Sequence, residues 1–131
     1  MVLTFDKAIA SANAAVTEGT ATAAAPTFNG NNVVISLTGV TDQQYVTVSL
    51  TSVAGVDGST GGTGSVRIGF LLGDVNGSRA VSLADVGLVN AELSQPVTAS
   101  NYLKDVNVSG TMTLGDKGLT NGALTHALPA P

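Results

Sequence analysis

The chain has 131 residues, a net charge of −4 and only 11% charged residues, with five basic side chains (Lys7, Arg67, Arg79, Lys104, Lys117) scattered along it. That pattern leaves no basic footprint for nucleic acid, and aromatics at 4% leave few stacking platforms. The absence of cysteine excludes disulfides and thiolate-bound zinc, and no apolar run approaches the ~18 residues of a membrane helix.

Residues 1–72 read as β. Apolar and polar residues alternate at Val33/Ile35/Leu37, Val46/Val48/Leu50 and Val66/Ile68/Phe70/Leu72, the period of a half-buried strand. Shorter strands are expected at Leu3–Phe5, Asn13–Thr17 and Thr20–Ala25, divided by turn residues at Glu18-Gly19, Asn29-Gly30-Asn31-Asn32 and Thr38-Gly39. The alanine-rich run 8–15 is read as strand and loop, because no helical apolar stripe continues beyond Asn13. About six short strands at this spacing suggest an Ig-like β-sandwich, in which Tyr45 serves as a corner tyrosine or a core aromatic. The runs Val2–Ile9, Leu37–Asp42 and Tyr45–Leu50 also resemble bacterial Ig-like modules of surface proteins. Met1 leads directly into a strand, so the chain is expected to be the C-terminal piece of a longer protein whose export signal lies upstream.

The glycine-rich stretch 55–64 lacks the Gly-Lys-Ser/Thr ending of a phosphate loop and is expected to be a mobile connection. A glycine junction near Gly73 then opens a second module, 73–131, with little reach between the two.

Within 73–131 a twelve-residue pattern occurs twice, at Asp74–Asp85 and at Asp105–Asp116. Aligning 74–93 with 105–124 gives ten identities in twenty positions, so a duplicated unit is the economical explanation. A hard cation takes six to eight oxygens, and an EF-hand loop supplies them from positions 1, 3, 5, 7, 9 and 12. The first loop offers Asp74, Asn76, Ser78, the Ala80 carbonyl, Ser82 and Asp85, and the second offers Asp105, Asn107, Ser109, Thr111, Thr113 and Asp116. Two calcium ions are therefore expected. Position 6 favours glycine for a left-handed turn, so Gly110 against Arg79 makes loop two the expected tighter site.

Helices are expected at 84–93, ended by Pro96, and at 117–128, ended by Pro129, with a short connecting helix through Leu103 capped by Thr98 or Ser100. His126 has no evident nucleophile or orienting acid and is read as an ordinary helix-end histidine, so no catalytic residue is assigned.

The doubled Asp-x-Asn-x-Ser pattern, with an apolar residue at position 8 and a helix after the last Asp, resembles a type I dockerin over residues 73–128. The resemblance implies an all-α C-terminal pair of calcium loop-helix repeats at the end of a secreted or cell-surface bacterial protein, binding a cohesin-like receptor. The family's usual partner-reading positions hold Leu83-Ala84, Asn90-Ala91, Leu114-Gly115 and Asn121-Gly122 here, which argues against a standard cohesin. Leu83, Asn90, Leu114 and Asn121 recur at the repeat offset and are expected to form a receptor face usable in two orientations, the alternative being that each Asn satisfies a backbone group in the packed helix pair. A calcium-stabilised cap without a partner is the alternative. Neither reading involves nucleic acid, membrane insertion or a small-molecule substrate.

Overall fold

The computed structural model describes residues 1–130 and divides the chain into two compact units, Met1–Ile68 and Gly69–Pro131.

The first unit is all-β: strands β1 (Val2–Thr4), β2 (Ile9–Glu18), β3 (Thr22–Ala23), β4 (Thr27–Asn29), β5 (Asn32–Val34), β6 (Leu37–Thr38), β7 (Gln44–Gly55) and β8 (Gly62–Phe70), the last running into the second unit. The strands form three sheets in the orders β1-β5-β4, β2-β7-β8 and β3-β6, with β1–β5, β4–β5, β2–β7 and β3–β6 paired antiparallel. Ile9, Val33, Ile35, Val46, Val48, Leu50 and Val53 form the core. Fully burying a side chain of this kind contributes about 1.5–3 kcal/mol.

Strand β7 carries the alternation: Val46, Val48 and Leu50 face inward while Thr47, Ser49 and Thr51 do not. The next inward residue is Val53, one position late. Ser52 has φ 52°, and the pairs Asn13↔Thr51 and Ser11↔Ala54 put an extra residue on β7 there. This bulge shifts the inward phase by one residue, so that Val53 turns to the core where a regular strand would have turned Ser52. Tyr45 is half-buried, and Arg67 lies 3.6 Å over its ring while holding Glu18 through two hydrogen bonds of 2.7 and 2.8 Å. The glycine-rich stretch turns tightly, with Ser59 bonded through its amide and hydroxyl to Asp57 Oδ1, and Gly62 already belongs to β8.

The second unit overturns the expectation of an all-α module. It contains two nine-residue helices, α1 (Leu83–Ala91) and α2 (Leu114–Gly122), and a 3-10 turn at Tyr102–Lys104, joined by loops and two isolated β-bridges. Over the whole chain 37% is strand and 16% helix, so the molecule is mostly β. The second helix stops well short of 128. The stripe Leu119/Ala123/Ala127 reads as helix in one dimension, but Thr125 takes φ 73° and Ala127 is drawn into a bridge with Ala80. The connecting segment forms only the 3-10 turn; Asn101 receives the Thr98 amide and hydroxyl instead of being capped by them.

Helices of nine residues are too short to stand alone in water, so caps and packing hold them. Val81, Val89, Met112, Thr120 and Ala123 are buried. Gly73 is buried at φ 90°, where a Cβ would lie 3.2 Å from Thr120 Cα, so the chain enters this unit through a position that only glycine fills without strain.

Candidate metal centre

The two loops repeat each other's internal bonding. In loop one the Ser78 amide donates to Asp74 Oδ1 and Asn76 Oδ1 at 3.0 and 2.8 Å, the Arg79 amide donates to Asp74 Oδ2 at 2.8 Å, and the Ser78 hydroxyl donates to the Ala80 carbonyl at 2.9 Å. In loop two the Ser109 amide donates to Asp105 Oδ1 and Asn107 Oδ1 at 3.0 Å each, the Gly110 amide to Asp105 Oδ2 at 2.8 Å, and the Ser109 hydroxyl to the Thr111 carbonyl at 3.0 Å. Positions 1, 3, 5 and 7 of each loop are thereby brought together, since the serine amide spans two side-chain oxygens and the same serine's hydroxyl reaches the carbonyl.

Position 12 closes each loop from the helix side. Asp85 Oδ1 accepts the Val75 and Asn76 amides at 3.1 and 3.3 Å, and Asp116 Oδ1 accepts the Asn107 amide at 3.1 Å. The other oxygen of each carboxylate serves a capping box: Ser82 donates its amide and hydroxyl to Asp85 Oδ2 at 2.9 and 3.0 Å, and Thr113 does the same to Asp116 Oδ2 at 2.8 and 3.1 Å. Ser82 and Thr113 are thus helix N-caps, their oxygens accepting the Ala84 and Gly115 amides at 3.2 Å each. A Ser/Thr three residues before an acid is a readable signal for this role, and assigning the same residues to position 9 of the loop obscured it.

Asp85 and Asp116 are both 0% exposed. The ion pairs among the described residues are Lys7–Asp57, Arg67–Glu18 and Lys104–Glu92, and none reaches a loop carboxylate. Burial pushes the Asp116 carboxyl up, but the Thr113 and Asn107 amides and the Thr113 hydroxyl outweigh it and hold the group below the usual carboxylate range. Both buried carboxylates are held by amide and hydroxyl donors and by none of these ion pairs, a setting that a bound cation would complement. The donor set of each loop is all oxygen, which suits a hard cation such as calcium. Among the described residues no three Asp, Glu, His or Cys side chains gather; each loop supplies two carboxylates, and Asn, Ser and backbone oxygens fill the remaining positions.

The backbone places a second left-handed position in each loop. Positive φ is required at position 4 as well as position 6: Gly77 (73°) and Arg79 (73°) in loop one, Val108 (56°) and Gly110 (84°) in loop two. Each loop therefore holds one glycine and one strained residue, and the advantage that Gly110 confers on loop two is offset by a β-branched valine two residues earlier.

The residues expected to read a partner fall into two groups. Leu83 and Leu114, the first residue of each helix, are 74% and 73% exposed. Asn90 and Asn121 are exposed too, but Asn90 Oδ1 accepts Lys117 Nζ at 2.8 Å, a bond between α1 and α2. The repeat equivalent of Lys117 is Val86, so Asn121 has no matching lysine and the two-fold equivalence breaks at this pair.

No described helix is long and apolar enough to cross a membrane. No protein-family model, curated protein or solved structure matches the chain.

Proposed function

We propose that Gly69–Pro131 is a calcium-ordered attachment module. The observation that carries this reading is the pair of buried carboxylates, Asp85 and Asp116, without a basic partner inside two oxygen-lined loops of matching bonding. Asp74, Asn76, Ser78, the Ala80 carbonyl and Asp85 would hold one ion, and Asp105, Asn107, Ser109, the Thr111 carbonyl and Asp116 the other. Calcium supplies the positive charge that the loops lack and fixes the start of each helix. With two carboxylates per loop and no Glu at position 12, dissociation constants of about 10⁻⁶ to 10⁻⁴ M follow, which suits the calcium levels met by a secreted or cell-surface protein.

Attachment is supported by Leu83 and Leu114, which stand exposed at equivalent places, and by Leu88 and Leu119, a second equivalent pair at 37% and 41% exposure. The receptor is a protein domain of cohesin type in this reading, by the resemblance of the doubled loop to type I dockerins, though of altered specificity. Met1–Ile68 then serves as a spacer.

Calorimetry on the full chain tests the metal: two ions should be taken up, and no calcium heat refutes the reading. Capture of a receptor from the source's secreted fraction, with and without chelator, tests attachment. Single Leu83→Asp or Leu114→Asp changes should weaken capture mildly and the double change abolish it, with calcium uptake intact. A chain that binds calcium but captures nothing is the partnerless cap.

A further inference from the structure

The β-bridges do not join each loop to its own repeat. Loop one, which starts α1, is bridged at Ala80 to Ala127 behind α2, and loop two, which starts α2, is bridged at Thr111 to Pro96 behind α1. At loop one the Val81 amide donates to the His126 carbonyl at 2.8 Å, the Thr125 amide to the Val81 carbonyl at 3.1 Å and the Leu128 amide to the Arg79 carbonyl at 3.0 Å. At loop two the Ser94 amide donates to the Met112 carbonyl at 3.0 Å. Ser94 and Thr125 occupy equivalent places in the repeat and both take positive φ, 68° and 73°, which turns the chain back across the partner loop after each helix. Val81 and Met112, the residues bracketed by these bonds, are buried at 3% and 2% exposure.

Resting on the calcium reading above, we propose that each calcium site is completed by the segment that follows the other repeat's helix: 125–129 belongs to loop one and 94–96 to loop two. The Ala80 and Thr111 carbonyls at position 7 sit on the bridged residues themselves, so ordering a carbonyl around an ion and ordering its strap are one event. Calcium in loop one then fixes the segment 125–129, and calcium in loop two fixes the turn behind α1. Arg79 is a positioning residue in this scheme. Its Nη2 donates to the Pro129 carbonyl at 3.2 Å, tying the strap down from position 6 and giving a reason for a long cation where the loop's geometry favours glycine.

Amide exchange followed by NMR on the full chain separates crossed from uncrossed coupling. Asp105→Asn leaves only loop one able to take calcium, and Asp74→Asn leaves only loop two. With calcium, the Asp105→Asn variant should slow exchange about ten-fold at Thr125 and Leu128 and leave Ser94 unchanged, and Asp74→Asn should give the reverse. Slowing at Ser94 in the Asp105→Asn variant means that each ion orders the segment behind its own helix, and overturns the proposal. Because Asp105 is itself nearly buried, Arg79→Gln provides a second arm that touches no proposed metal oxygen and keeps the same backbone demand. It should weaken the loop-one ion several-fold and speed exchange at Leu128 without altering Ser94. Unchanged affinity and exchange in that variant overturn the proposal. A wild-type chain that takes up no calcium refutes the proposed function and this inference together, whereas uptake with uncrossed protection refutes only this one.

Discussion

Exchanging the position-4 residues of the two loops isolates backbone strain from every other term. Val108 sits at φ 56° and is 86% exposed, so Val108→Gly loses almost no burial. Holding an L-residue in the left-handed region costs about 1–2 kcal/mol, with a β-branched side chain toward the upper end. Against this, glycine loosens the unfolded chain by about 0.5–1 kcal/mol. The balance is a stabilisation of about 1 kcal/mol, or about 4–8 °C for a cooperative unit of this size. Gly77→Val should cost about the same amount, since a Cβ at Gly77 meets nothing within 4 Å and the penalty is dihedral alone. The helical circular-dichroism band reads out the second unit, because both α-helices lie there. A Val108→Gly variant that melts lower than wild type, or a Gly77→Val variant that melts at the same temperature, refutes the argument. Calorimetry on the same pair tests whether strain sets the order of the sites: Val108→Gly should make loop two the tighter by removing its one disfavoured residue.

Chelator should lower the melting temperature of the helical band and leave the β signal of Met1–Ile68 in place; at calcium about a hundred times the dissociation constant each site contributes about 2.7 kcal/mol, and no shift would mark the loops as metal-free turns. At Glu18 the hydrogen bonds from Arg67, then Thr47, lower the carboxyl from 4.5 to about 2, so its stabilising contribution is present above pH ~4.5 and lost as pH falls through about 2. The denaturation midpoints of wild type and Glu18→Gln should therefore converge over that window, and a constant gap across it would exclude this ion pair as the cause.

How far the fold could be read in advance depended on whether the deciding interaction was local. The inward row Val46, Val48, Leu50 is a property of adjacent residues and was legible; the step to Val53 was not, because the left-handed Ser52 follows from how β7 pairs with β2. The capping boxes Ser82–Asp85 and Thr113–Asp116 are local and set the true helix starts, Leu83 and Leu114, one and three residues before the expected ones. The end of α2 is not local. A helical stripe runs on through Ala127, and what breaks it is a bridge to Ala80 far back in the chain.

The same division runs through the candidate metal centre. The oxygen donors were legible because a loop of fixed length must place them at fixed positions, and the repeat at 31 residues doubled the signal. The strain pattern was hidden, because position 4 holds glycine in one loop and valine in the other and only the backbone shows that both are left-handed. A repeat states that two units are alike and not which tail crosses which loop. That Arg79 occupies a glycine position is a local defect while loop one is considered alone; once Pro129 lies across the loop, the guanidinium has a carbonyl to hold, and the departure from the motif becomes part of the contact.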